Sequence, residues 1–164
     1  MNHSRWKHFL GGALIAMVNC TTAHAGDLFL YAAIQLPSQP KYAEAWAEVI
    51  TTQEQWQAFY TKNFTGGLID PPRTITAPSI DFNSYRVVVG GLGLKPTGGY
   101  SLAVGGVFEL SNEIYMDVLD VSLGLDGQPC VVTMGLTYPY IALLLKKSDK
   151  PIRVRVVKAM TGCN

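Results

Sequence analysis

Residues 85–104, YRVVVGGLGLKPTGGYSLAV, place two apolar runs on either side of a glycine-rich break. Tyr85-Arg-Val-Val-Val89 is rich in β-branched residues, and Tyr100-Ser-Leu-Ala-Val104 alternates with the period of two that a half-buried strand requires. Between them Pro96 fixes one backbone angle, Thr97 can hydrogen-bond locally, and Gly98-Gly99 accept positive φ without steric cost. The stretch predicts a hairpin, with strand 85–93 joined by a compact turn to strand 100–108.

The same signal continues downstream. Ile114-Tyr-Met-Asp-Val118, Val131-Val-Thr-Met134, Tyr140-Ile-Ala-Leu-Leu-Leu145 and Ile152-Arg-Val-Arg-Val156 read as strands, separated at Ser111-Asn112, Asp126-Gly127 and Ser148-Asp149-Lys150. Upstream, residues 28–34 and 44–50 read as strands around the Pro37-Ser-Gln-Pro40 turn. Thr52-Gln-Glu-Gln55 has the capping-box pattern, and Trp56, Phe59 and Tyr60 follow at helical spacing. A helix over 53–64 is expected to pack that aromatic stripe on a sheet. Residues 65–79, with three prolines and two glycines, read as a long loop. The expected fold class is α+β: a mostly antiparallel sheet meander with one packed amphipathic helix.

The first 25 residues have the organisation of a signal peptide. Arg5, Lys7 and His8 precede the apolar run Phe9 to Val18, and Ala23-His24-Ala25 offers a small-residue cleavage site. That run is too short to cross a bilayer as a helix, for which about 20 residues are needed, and no membrane span is expected. Cleavage after Ala25 would leave 26–164 as a single domain in the periplasm or outside the cell. All three histidines, His3, His8 and His24, would leave with the leader. The remaining chain lacks the imidazole on which Ser-His-Asp and Cys-His nucleophiles and most zinc sites depend, so no catalytic residue, metal or cofactor is expected. Of the 13 Lys and Arg, Arg5 and Lys7 would also leave, and 11 against 12 Asp and Glu carries no nucleic-acid signal. Cys130 and Cys163 would remain as an even pair in an oxidising compartment. They are expected to form a disulfide, worth roughly 3 to 4 kcal/mol for a loop of about 33 residues and able to tie down the C-terminal tail.

The sharper readings of the glycine-rich break fail on chemistry. Gly93-Leu-Lys-Pro-Thr-Gly98 has the spacing of a phosphate loop, but Gly99-Tyr100 stand where Lys and a hydroxyl residue are required. Gly99-Tyr-Ser101-Leu-Ala103 lacks the second glycine of a nucleophile elbow, and its serine has no histidine base.

The residues Glu54-Gln-Trp56, Pro78-Ser-Ile-Asp-Phe82, the valine-rich strand, Lys95-Pro-Thr-Gly-Gly-Tyr-Ser101 and Thr137-Tyr-Pro-Tyr-Ile141 together resemble the protease complex subunit PrcB family, in particular its C-terminal domain. The resemblance is strongest over 48–158, and the Thr-Gly-Gly-Tyr turn is its most specific part. It implies an exported, non-catalytic protein-binding role, since the namesake is an accessory subunit that binds and stabilises a surface protease. The chain departs from the family picture in lacking a lipobox and in carrying Cys130 and Cys163.

On this reading Lys95, Thr97, Gly98, Gly99, Tyr100, Tyr138, Pro139 and Tyr140 form a rim for a protein partner, of which an exported protease is the implied class. Tyr100 and Tyr140 are its expected anchors, because tyrosine offers a large amphipathic contact area. Two alternatives stand beside it. In the first, Pro96-Thr-Gly-Gly-Tyr100 is presented to a protease cleft by a peptidase inhibitor. In the second, two of Glu109, Glu113, Asp117 and Asp120 converge to about 5–10 Å as the carboxylates of a hydrolase. Arg153 and Arg155 alternate with Ile152, Val154 and Val156 and are expected on a solvated strand face.

Overall fold

The computed structural model describes residues 27–64, 75–124 and 130–162. The elements are β1 (Asp27–Leu28), β2 (Tyr31–Ala33), β3 (Trp46–Ile50), α1 (Gln53–Phe64), β4 (Tyr85–Gly91), β5 (Lys95–Thr97), β6 (Tyr100–Glu109), β7 (Ile114–Leu123), β8 (Met134–Thr137), β9 (Tyr140–Lys146) and β10 (Ile152–Thr161). The fold is α+β and mostly antiparallel, with α1 the one helix among the described residues. The leader, residues 65–74 of the long loop, the Asp126-Gly127 break and Cys163 lie outside the described residues, so the expected Cys130–Cys163 pairing does too.

Three strand assemblies form, in the orders β1-β6-β7-β10, β2-β9-β4-β3 and β5-β8. The expected hairpin between 85–93 and 100–108 does not. A strand has two edges, and both edges of β4 are taken: β3 pairs on one side and β9 on the other. β6 goes instead to the other sheet, between β1 and β7. The chain leaves β4 at Gly93, which sits at φ 73°. Leu92 N donates to Pro139 O (3.0 Å) and Leu94 N to Ala43 O (3.1 Å), which holds the exit in place. Gly98 and Gly99, expected to use positive φ, do not; among the described residues only Gly93 and Gly124 do.

Two other expected strands shift. Residues 28–34 divide, because β1 pairs with β6 while β2 pairs with β9 in the other sheet. Phe29 is buried at the changeover, its N donating to Val107 O (2.8 Å). The strand expected at 131–134 is found at 134–137. The β7 to β10 pair is parallel, a connection the meander did not include; β8 and β9, in other layers, supply the crossover.

Side-chain alternation places β4 and β9 between two cores. On one face Val87, Val89 and Ala142 pack under Trp56, Phe59, Tyr60 and Phe64 of α1. On the other face Val88, Leu143 and Leu145 meet Val107, Ile114, Met116 and Val118 of the second sheet. The order of layers is therefore helix, sheet, sheet. The near-continuous apolar runs of β4 and β9 follow from burial on both faces. α1 keeps the expected bounds. Thr52 Oγ1 accepts from Gln55 N (3.2 Å), while Gln55 Oε1 accepts from Thr51 N (2.9 Å), one residue earlier than a capping box requires. Gln53 and Gln57 hold residues 75–80 along the helix, with Gln57 Oε1 accepting from Ala77 N (3.0 Å) and Gln53 Oε1 from Ile80 N (3.1 Å).

Candidate functional site

β5 and β8 are short, pair only with each other, and stand apart from both sheets. Lys95 lies opposite Thr137 and Thr97 opposite Met134, with one irregularity between them. Gly98 N donates to Thr133 O (3.0 Å), and Thr137 Oγ1 donates to Thr97 O (2.8 Å). Gly99 N is held by Thr97 Oγ1 (3.3 Å), the local hydrogen bond expected of that threonine. The exposed Pro96 lies in the ribbon, where a missing donor costs least.

The ribbon spreads the sequence-predicted rim over its two ends. Lys95 lies opposite Thr137, from which the chain continues into Tyr138 and Pro139, while Thr97 lies opposite Met134 and Gly98 and Gly99 lie against Thr133 and Val132. Tyr138 N donates to Gln39 Oε1 (3.2 Å), and Pro139 is buried, its carbonyl taken by Leu92 N. Tyr100 follows at the start of β6, half-buried, with Lys95 Nζ 5.4 Å from its ring centroid. The two glycines serve close approach. A Cβ at Gly99 would lie 2.9 Å from Val132 Cγ1, and one at Gly98 would lie 3.2 Å from Thr133 Cβ. The turn thus lies against residues 132–133, with Gly99 buried.

Tyr140 does not join this rim. Its partner in the ladder is Gly91, and its side chain packs with the core beneath α1. Burial pushes the Tyr60 phenol above its ordinary range there, with a further contribution from Tyr140. The expected anchors Tyr100 and Tyr140 therefore belong to different layers.

What the ribbon exposes instead is aliphatic. Met134 is 86% and Leu136 67% exposed, Val131 is fully exposed, and Leu94 and Pro96 are also open to solvent. Contiguous exposed apolar surface rimmed by polar groups marks an interaction site. Sequence reasoning missed Met134 and Leu136 because it ended a strand at Met134. The available signal was Gly135, a residue that weakens a strand interior and marks a bulge or bend.

Three of the four acidic residues weighed as catalytic carboxylates are paired with cations. Lys150 Nζ pairs with Glu109 (2.8 Å), Arg153 with Glu113 (3.6 Å) and Arg155 with Asp117 (2.8 Å), while Asp120 lies on the opposite face of β7 in a cleft between the sheets. Arg155 donates to both oxygens of Asp117 and holds that carboxylate below its ordinary value. Among the described residues, no group of three or more His, Cys, Asp or Glu could hold a metal ion. No described helix is long and apolar enough to cross a membrane.

Residues 86–146 match the family model described as PrcB C-terminal. The match runs from β4 to the end of β9, takes in both strands of the ribbon, and leaves β1 to β3, α1 and β10 outside it. No curated protein and no solved structure matched.

Proposed function

We propose that this chain, whose PrcB C-terminal segment spans 86–146, is an exported, non-catalytic binding subunit that docks an extracytoplasmic protease or surface complex through the β5–β8 ribbon. The observation that carries the reading is the aliphatic surface of Met134 and Leu136 on a ribbon lying wholly within the matched segment. Lys95, Thr97, Gly98 and Tyr100 supply a polar border, and Tyr138 leads out of it. Export proceeds by cleavage after Ala25, and Cys130 pairs with Cys163.

The test is capture of partners from the extracytoplasmic fraction of the native cells by wild-type protein and by a folded Met134→Ser, Leu136→Ser double variant. A protease or surface protein should be retained by wild type and lost at least tenfold by the variant, as expected where truncating a buried anchor costs more than about 1.4 kcal/mol. Equal retention by both would remove the ribbon as the site. Failure of wild type to capture any such protein would overturn the reading, and a captured protease whose activity falls on mixing would replace it with the inhibitor reading. The same preparation should have a non-reduced mass equal to residues 26–164 with one disulfide.

A further inference from the structure

We infer that Met134 is an oxidation site, through which a peroxide releases the partner held by the β5–β8 ribbon. The inference rests on the docking role proposed for that ribbon and names what regulates it.

Three methionines lie among the described residues, and the fold shields them unequally. Met116 is wholly buried between the two sheets, in the core formed with Val107, Ile114 and Val118. Met160 is 63% exposed near the end of β10, beside Ser122. Met134 is the most open of the three, 86% exposed at the start of β8 and opposite Thr97. A thioether is oxidised only when the oxidant touches its sulfur, so a methionine sealed in a core reacts only after that core opens. Peroxide therefore reaches the ribbon before it reaches the fold.

The reaction is a two-electron transfer. A lone pair on Met134 Sδ attacks one oxygen of hydrogen peroxide and the O–O bond breaks; sulfur keeps the attacked oxygen as a sulfoxide, and the other leaves as water after proton transfer. Sulfur is oxidised and peroxide is reduced. In the reverse direction a sulfoxide reductase removes the oxygen as water while two thiols are oxidised to a disulfide.

The product changes the ribbon's surface and leaves its architecture intact. Met134 belongs to neither core cluster, and the bonds that close the ribbon use other groups: Gly98 N donates to Thr133 O, and Thr137 Oγ1 donates to Thr97 O. The surface offered to a partner is aliphatic, with Leu136 67% exposed two residues away. A sulfoxide there replaces apolar surface with a polar group that accepts hydrogen bonds from water. Covering it with an apolar partner strips that water without return, which disfavours docking.

The test treats wild type, Met134→Leu and Met160→Leu with hydrogen peroxide and follows each methionine by peptide mass spectrometry. Sulfoxide should form at Met134 and Met160 roughly tenfold faster than at Met116, with no change in the urea midpoint when Met134 is fully converted. Retention on a phenyl column reads the surface without a partner, and oxidation should shorten it more for wild type than for Met134→Leu. In the partner capture that tests the ribbon, oxidised wild type and oxidised Met160→Leu should retain roughly tenfold less partner than before treatment, while oxidised Met134→Leu retains it. A methionine sulfoxide reductase with a thiol should restore capture, with untreated protein carried through the same step as control. Oxidation of Met134 no faster than of Met116, equal shortening of retention for Met134→Leu, or undiminished capture by protein oxidised at Met134 would overturn the inference. Capture kept after oxidation but lost by Met134→Ser, Leu136→Ser removes the oxidation site alone. Capture kept by both removes the ribbon as the docking site as well.

Discussion

Gly93 shows why a glycine legible as a turn residue can matter for a different reason from the one composition implies. Its φ of 73° is open to glycine at little cost, and a Cβ there would lie 2.5 Å from the Glu44 carbonyl carbon. Gly93→Ala therefore combines backbone strain with a clash against backbone and should cost more than about 1 kcal/mol. Gly135 is the control, since its Cβ would meet nothing within 4 Å. Urea unfolding should show a clear fall in midpoint for Gly93→Ala and little change for Gly135→Ala; equal midpoints would contradict the role given to Gly93. At Gly98-Gly99 the sequence correctly marked a tight place. It could not reveal that Thr133 and Val132, more than 30 positions away, create the tightness.

Elements were legible where the determinants are local. α1 occupies 53–64 as its cap and aromatic stripe predict, and the apolar runs of β4 and β9 are strands. Strand partners were not legible, because pairing joins residues distant along the chain. The parallel β7–β10 pair is an example, with Arg155 reaching Asp117 across the ladder at 2.8 Å. The hydrogen bonds from Arg155 hold the Asp117 carboxylate below its ordinary value. A depressed carboxylate contributes stability that is present above its unfolded pKa and lost as the pH falls through its folded one. The stability difference between wild type and Asp117→Asn should thus hold steady through neutral pH and shrink toward zero below the ordinary aspartate range. Denaturant unfolding at a series of pH values would check this, and a difference that grew in acid would contradict it.

At the scale of the whole molecule, stacking helix on sheet on sheet leaves two kinds of surface uncovered. β5 and β8 pair only with each other, and among the described residues β10 has a strand neighbour on one side alone.

The sequence by itself determined the β-rich class, the helix over 53–64 and the absence of histidine beyond residue 24. These rest on residue chemistry and local periodicity, which a linear chain displays. Tertiary structure alone decided that β4 has no edge left for β6, that Tyr140 faces the helix, and that Met134, Leu136, Val154 and Val156 are exposed. Exposure is the part of a side chain's surface that no other segment covers, and that is settled only when all the layers are in place.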